Sequence, residues 1–222
     1  MPHPFSPEDF PLNEGFPLKA TRVFYLRQAI HFKQTAKILD LTGHMRQPFR
    51  GDFTAAWAEE ASQTAQKLLD GQGGGARYSI GSCGEMMRTI KTMTDARSGE
   101  KLCDLDITFV SFDNSSVRFP ANSPHSRHKI EVHPVDDVAT RAGVRHECFI
   151  RHSVPYFWDM TAGGPHAVLY KCLNQQRCLV GKVASYGFDK DAILVLNTDE
   201  VDEVVALATA VILLNGRDAM DH

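Results

Sequence analysis

The sequence lacks a strong excess of charge of either sign. Among its 222 residues, 24 lysines and arginines stand against 27 aspartates and glutamates, and the formal net charge is −3. A chain with this balance has no positive field that would concentrate on a nucleic-acid backbone. The composition therefore argues against a nucleic-acid-binding protein.

Cysteine pairs and a leader-like segment are also missing. The five cysteines are odd in number and show no C-x-x-C spacing, which is typical of reduced, mostly buried thiols. Residues 1–19 have no apolar run behind a basic start, so neither a secretory signal nor a membrane anchor is expected. The sequence predicts a cytoplasmic protein, with a nuclear or a peripheral membrane location as alternatives.

One stretch near the C-terminus is apolar on all sides. From Val204 to Leu214 every residue except Thr209 is apolar, and a helix of this kind has no face for water. Its length of about 11 apolar residues is well short of the roughly 20 that cross a bilayer. The sequence therefore predicts a buried core helix over Glu200–Asn215. Four carboxylates suit its positive N-terminal end: Asp199, Glu200, Asp202 and Glu203.

Most of the remaining chain is predicted to form about a dozen short strands. Turn-prone residues recur every 8 to 12 residues or so, the spacing of a sheet that closes or forms a sandwich. Crossover helices for a parallel sheet are missing, so the sheet should be mainly antiparallel. We expect strands near 23–26, 36–41, 77–80, 87–93, 101–112, 116–119, 129–133, 144–152, 156–160, 167–172, 178–185 and 192–197.

Two segments differ from this strand pattern. Residues 1–19 contain five prolines and are predicted to form an extended arm without a strand. A helical insert is predicted within residues 51–76, where Trp57, Ala61, Ala65 and Leu68 share one helical face. We expect that face to pack on its own domain, with a protein partner or a membrane surface as the alternative. Residues 20–222 should then form a single domain.

Four stretches resemble the Tubby C-terminal-like superfamily, which includes tubby proteins, phospholipid scramblases and LURP-one-related proteins. They are two strand–Asp–turn–Gly units, Lys37–Gly43 and Thr92–Gly99, the strand Leu179–Ala184, and the run Asp191–Ile212. The resemblance covers roughly Thr21 to Arg217. It implies a closed barrel of about twelve antiparallel strands around a hydrophobic C-terminal helix. Scramblase activity is not implied, because the membrane-spanning end and the cysteine cluster of scramblases have no counterpart here.

The resemblance also implies a non-catalytic binding or adaptor role, without a cofactor. The best-known ligand of the family is a phosphoinositide headgroup, so an anionic phospholipid is the expected ligand class. Basic residues on neighbouring strands could hold two or more phosphates. Solvated surface charge without a ligand is the competing interpretation. The candidates for a lipid or anion site are Lys171, Arg177, Lys182, Arg145 and Arg151.

Two other functions remain open. Gly81–Glu85 reads GSCGE, and a sharp turn presenting Cys83 after a strand would imitate the nucleophile elbow of a hydrolase. Such a cysteine needs a base and an acid, for which His166 and Asp191 are arbitrary choices. A purely structural protein–protein interaction domain that works through the Trp57 helix is the third possibility.

A metal site is not predicted. His125 and His128 have the H-x-x-H spacing that brings two imidazoles together on a helical turn, and His133 follows. However, Pro124 and the strand-like sequence after His128 argue against a helix. No Cys, Asp or Glu close in the sequence completes a tetrahedral ligand set.

Overall fold

The strands of the protein form one closed antiparallel barrel. The computed structural model describes residues 9–27, 35–71, 75–85, 88–108, 114–136, 145–160, 166–186 and 191–218, with side chains for all except 82–85, 88, 136, 145, 186 and 216–218. Within these residues, twelve strands pair in sequence order, and the first pairs with the last. The strands are β1 Arg22–Arg27, β2 Ala36–Asp40, β3 Tyr78–Glu85, β4 Arg88–Asp95, β5 Lys101–Thr108, β6 Ser115–Arg118, β7 Ile130–Asp136, β8 Arg145–Arg151, β9 Val154–Asp159, β10 His166–Leu173, β11 Gln176–Tyr186 and β12 Asp191–Leu196.

Helix α2, Glu203–Asp218, lies inside this barrel. Residues Val204–Asn215 are each 2% exposed or less, so α2 is covered on every side. One hydrophobic cluster joins α2 to inward-facing residues from all twelve strands. The predicted central helix and the mainly β barrel are therefore confirmed. Among the described residues, no helix is long and apolar enough to cross a membrane.

Helix α1, Ala55–Asp70, packs against the outside of the barrel. Thr54 caps its N-terminus by accepting a hydrogen bond from the Trp57 N–H. Trp57 is 4% exposed, and its indole N–H donates to the Gln47 carbonyl at 3.2 Å. The apolar face of α1 forms a second cluster with outward-facing residues of β1, β2 and β12. The expectation that this helix packs on its own domain is confirmed.

Strand β1 shows why the strands near α1 read as continuous apolar runs. Phe24 and Leu26 point into the barrel and contact the core around α2. Val23 and Tyr25 point outward and contact the cluster beneath α1. A strand covered on both faces has no position that favours a polar residue. The apolar run of β1 therefore reflects two separate hydrophobic cores.

The two strand–Asp–turn–Gly units form the turns that their sequences predict. The Asp40 carboxylate accepts from the Thr42 N–H at 2.9 Å, and Gly43 has a φ of 78°. The Asp95 carboxylate accepts in the same way from the Arg97 N–H at 2.9 Å, and Gly99 has a φ of 72°. Asp fixes each turn and Gly supplies the left-handed backbone.

The described part of the N-terminal arm lies beside the start of β11 and contains a turn at residues 13–16. Strand β12 pairs with β11 only from Gly181 onward, which leaves the first residues of β11 without a strand partner on that side. The arm occupies this edge, where the Asn13 N–H donates to the Arg177 carbonyl and the Arg177 N–H donates to the Pro11 carbonyl, both at 3.0 Å. Phe10 packs on Phe157, with 6.1 Å between ring centroids.

Three predicted local structures differ from the observed ones. Helix α2 begins at Glu203 and not at Glu200, because residues 198–200 form a turn before it, and it continues past Asn215 to Asp218. Strand β3 continues through residues 81–85, and the backbone of Cys83 pairs with Ile90 of β4. The sharp turn predicted at Gly81–Glu85 is therefore absent, because the ladder to β4 overrides the turn preference of the two glycines. Strand β8 ends at Arg151, so that His152, predicted to end the strand, lies in a turn instead. Residues 109–112 of the predicted fifth strand lie outside the described residues.

Candidate functional site

The end of the barrel at which α2 begins, called here the helix-start end, carries a ring of ion pairs. Among the described residues, four acids at the start of α2 meet five bases from the N-terminal arm and from strands around the barrel. We call this set the ion-pair collar. Its pairs are Lys19–Asp199 at 2.6 Å, Arg22–Glu203 at 3.5 Å, Arg77–Glu203 at 2.8 Å, Arg151–Asp202 at 3.2 Å and Lys171–Glu200 at 2.9 Å.

Asp202 has a double role in the collar. One carboxylate oxygen accepts from the Val205 N–H at 3.0 Å and so caps α2, while the other lies 3.2 Å from both the Arg151 guanidinium and the His125 ring. Burial alone would raise the pKa of Asp202, but the His125 and Val205 hydrogen bonds and the Arg151 charge outweigh it and lower the pKa. The carboxylate is therefore ionised at neutral pH.

Two of the five predicted lipid-site residues belong to this collar. Lys171 is bound to Glu200, and Arg151 is bound to Asp202 and also donates to the His125 carbonyl at 2.9 Å. Both side chains are only 17% exposed. Their charges are already balanced within the protein, and their first role is to hold the start of α2 in the barrel.

The other three predicted residues lie at different places. Lys182 donates to the Asp52 carboxylate at 3.0 Å, in the segment that leads into α1. The Arg177 guanidinium lies over the Tyr170 ring, 5.0 Å from its centroid. Arg145 begins β8, and its side chain lies outside the described part of the structure. The four predicted lipid-site residues with described side chains therefore lie in three places. Two are in the collar, Lys182 is beside the segment before α1, and Arg177 is over the Tyr170 ring.

A polar pocket opens at the helix-start end beside the collar. It has a volume of about 700 Å³ and lies between the loop that joins β6 to β7 and the turn that joins β8 to β9. The described residues that line it are Ala121, Asn122, Ser123, Pro124, Ser126, Arg127 and His152. We call it the β6–β7 loop pocket. Its size is in the range typical of small-molecule sites.

The loop of this pocket is held by bonds to its neighbours. The Ser123 hydroxyl accepts from the His125 N–H at 3.3 Å, and the Ser126 hydroxyl donates to the His128 carbonyl at 2.8 Å. His125 is in turn bonded to Asp202 of the collar, and its carbonyl accepts from Arg151. The pocket is therefore built on the same ion pairs that fix α2.

Three of the described cysteine side chains are deactivated by burial. Cys103, Cys148 and Cys172 are buried, and burial raises the pKa of the first to about 12, of the second to about 11 and of the third to about 12. A thiol with a raised pKa is protonated at neutral pH and is a weak nucleophile. Of the proposed partners of Cys83, His166 stacks on Phe53 and Asp191 accepts from the Tyr25 hydroxyl at 2.7 Å.

The three histidines of the H-x-x-H region have different surroundings. His125 is bonded to Asp202, while His133 of β7 lies 3.6 Å from Glu131. His128 is exposed in the β6–β7 loop. No group of three or more His, Cys, Asp or Glu side chains within the described residues is placed to hold a metal ion.

The closed barrel with a buried helix, capped by ion pairs at one end, places the chain in the class of helix-filled antiparallel β-barrels. Comparison of the chain with protein-family models, curated proteins and solved structures found no match. The function must therefore be argued from the geometry of the residues themselves.

Sequence reasoning did not find the β6–β7 loop pocket. The H-x-x-H spacing of His125 and His128 suggests metal ligands and does not point to Arg127 between them. His152 is predicted to end a strand, because it follows the apolar run of β8 without an intervening Gly, Pro, Asn or Asp. A two-residue gap between two apolar strands is the signal that could have placed His152 in a hairpin turn.

Proposed function

We propose that this protein is a non-catalytic binding or adaptor module that recognises its ligand with the outer surface of the barrel. The observation that carries the proposal is the position of α2, whose residues Val204–Asn215 fill the interior. Barrels that carry small ligands inside need that space. Ligand recognition is therefore left to the outside and the ends of the barrel.

Membership in the Tubby C-terminal-like superfamily is part of this proposal. Twelve antiparallel strands that close around a hydrophobic C-terminal helix are the arrangement that the resemblance implies. The support is architectural and does not by itself specify a ligand.

The ligand class that we propose is the headgroup of an anionic phospholipid. Lys182 and Arg177 lie on one strand, and Lys171 lies on the neighbouring strand of the same hairpin. Because Lys171 and Lys182 are paired with carboxylates of the protein, a headgroup must compete with Glu200 and Asp52 for these charges. Binding should accordingly be moderate in strength and sensitive to salt.

Flotation of the purified protein with liposomes tests the proposal. We expect co-flotation with vesicles that contain a few per cent phosphoinositide, none with neutral vesicles, and weaker co-flotation at higher salt. The variant Lys171→Gln, Arg177→Gln, Lys182→Gln should no longer float. The matched control, Lys67→Gln, Arg97→Gln, Lys129→Gln, removes the same charge from exposed positions elsewhere and should float like the wild type.

Three results would count against the proposal. Absence of flotation for the wild type would exclude phospholipid as the ligand and would favour a protein partner. Equal losses in the two triple variants would indicate attraction by net charge instead of a site. Unchanged flotation of the first variant would remove these three residues from the site. Thermal melting followed by circular dichroism verifies that each variant is folded.

A further inference from the structure

The β6–β7 loop pocket collects hydrogen-bond donors. The ionisable residues in its described lining are Arg127 and His152, and both are basic. None of the described lining residues is Asp or Glu. The Asp202 carboxylate, which contacts the pocket loop at His125, is bonded to His125 and to Arg151. An anion in the pocket would therefore meet the Arg127 guanidinium and the His152 ring, and no carboxylate of the described lining residues would compete with it.

The donors that face the pocket have unused capacity. Within the described part of the chain, the side chains of Asn122, Arg127 and His152 make no hydrogen bond or ion pair with another residue. The Ser123 hydroxyl accepts from the His125 N–H, which leaves its own proton free to donate. A polar group that finds no partner in its own protein, at the mouth of a pocket, is available for a ligand.

The turn that presents His152 is unfavourable for its own residues. His152 and Ser153 have φ values of 50° and 64°, and they form the two-residue loop between Arg151 and Val154. Asn-Gly is the preferred pair in such a turn because both positions require positive φ. Asn122, on the opposite side of the pocket, has a φ of 65°. Left-handed backbone at non-glycine residues costs stability and is concentrated at functional sites.

We propose that the β6–β7 loop pocket binds the phosphate group of a phosphate monoester. The Arg127 guanidinium offers two parallel donors to phosphate oxygens, and the His152 ring offers a third. Asn122 and Ser123 donate to the remaining oxygens or to hydroxyl groups of the attached molecule. The volume of about 700 Å³ leaves room for a sugar or polyol beyond the phosphate. Lys171, Arg177 and Lys182, which the flotation variant removes, are not among the described residues that line this pocket.

Calorimetric titration of the full-length protein tests the site. The soluble probes are inorganic phosphate, glycerol 3-phosphate and glucose 6-phosphate, and vesicles with a few per cent phosphatidylinositol phosphate provide a lipid-borne monoester. We expect saturable binding at one site. Arg127→Gln should weaken it about ten- to a hundredfold, since a hydrogen bond to a charged group is lost. Arg97→Gln removes an exposed arginine from another turn of the same end and should leave the affinity unchanged.

The hairpin turn supplies a second test that separates binding from stability. His152→Asn with Ser153→Gly installs the favoured turn pair, so the melting temperature should rise while affinity for the monoester falls about tenfold or more. Gln175→Gly is the control, because Asn174 and Gln175 form an equivalent left-handed turn with φ values of 52° and 61° between β10 and β11. This variant should also melt at a higher temperature but bind as the wild type does.

The outcomes are distinct. Binding of the soluble monoesters identifies a free metabolite as the source of the phosphate, and binding of the vesicles alone identifies a lipid headgroup. Either result supports the site if Arg127→Gln weakens the binding by about tenfold or more. Absence of saturable binding to all probes overturns the proposal, as does binding that survives both Arg127→Gln and the turn variant. The vesicles are titrated into the Lys171→Gln, Arg177→Gln, Lys182→Gln variant, in which the three basic residues tested by flotation are removed, so neither result depends on the phospholipid proposal.

Discussion

Lys91 is a lysine whose ammonium group lies inside the barrel. It is 1% exposed, and it donates to the Asn215 side-chain oxygen at 2.9 Å near the end of α2. Burial lowers the pKa of Lys91 to about 8. The folded state therefore bears the cost of a buried charge at neutral pH and loses that charge more readily than the unfolded chain does.

This burial predicts a dependence of stability on pH. Below pH 8 Lys91 is protonated in both states, but between about pH 8 and 10.5 only the folded state releases the proton, so wild-type stability should rise relative to a Lys91→Met variant. Across this pH range the free energy of unfolding of the wild type should rise by about 3 kcal/mol relative to the variant. Urea unfolding at a series of pH values measures it. Lys37→Met, at an exposed position of β2, is the charge-matched control and should show no such trend.

Single residues also show what local sequence can predict. Asp40 and Gly43 form a turn for local reasons, so the turn is visible in the sequence. The His152–Ser153 turn opposes local preference, because the pairing of β8 with β9 imposes it, and its one sequence signal is the two-residue gap between two apolar runs. Arg151 and Lys171 were expected to be free for an anion. Their partners, Asp202 and Glu200, are 51 and 29 residues away and are brought there only by the barrel.

At the scale of elements, strands β11 and β12 approach so closely that one position requires glycine. A Cβ atom on Gly181 would lie 2.8 Å from a Leu196 methyl group and 3.2 Å from the Val195 carbonyl oxygen. We expect Gly181→Ala to destabilise the protein by about 1–3 kcal/mol through overpacking. Chemical unfolding checks this. Gly81→Ala is the matched control in β3, where nothing lies within 4 Å of the added carbon, and it should change stability by less than about 1 kcal/mol.

The start of α2 is the second element with a specific prediction. Asp202→Ala should cost about 2 kcal/mol, because it removes the cap of Val205 and the partner of Arg151. Asp202→Asn keeps an oxygen that can cap the helix and should cost less. Since the folded pKa of Asp202 is lowered, the advantage of wild type over Asp202→Asn should be complete above the ordinary pKa of 3.8 and disappear as the pH falls through the lowered value. An advantage that persisted at lower pH would show that charge is not its cause.

At the scale of the whole molecule, the strands and the core helix were predictable because their signals are strong and regular. An eleven-residue apolar stretch that is too short for a membrane has few alternatives to a protein core. Short strands at regular spacing without crossover helices similarly leave few alternatives to an antiparallel sheet. Closure of that sheet requires β1 to pair with β12, for example at Phe24 and Leu194. The local sequence around these two residues does not predict that they pair, because they are far apart in the chain.

The central position of α2 gives the prediction for the molecule as a whole. Ala208→Asp places an uncompensated charge at a site that is 0% exposed, so the variant should not fold cooperatively. Circular dichroism and thermal melting test this. Ala56→Asp, on the exposed side of α1, is the control and should melt near the wild-type temperature. A soluble Ala208→Asp variant with a cooperative transition would contradict the central-helix architecture.

The order of the elements along the chain has a consequence for synthesis. Helix α2 follows all twelve strands, so a ribosome makes the wall of the barrel before it makes the core. Until residues 203–218 emerge, the inward faces of the strands have nothing to cover them, and β1 must wait for β12 at the other end of the chain. Long-range pairing of this kind folds slowly and leaves apolar surface exposed. The growing chain should therefore depend on chaperones until α2 has emerged.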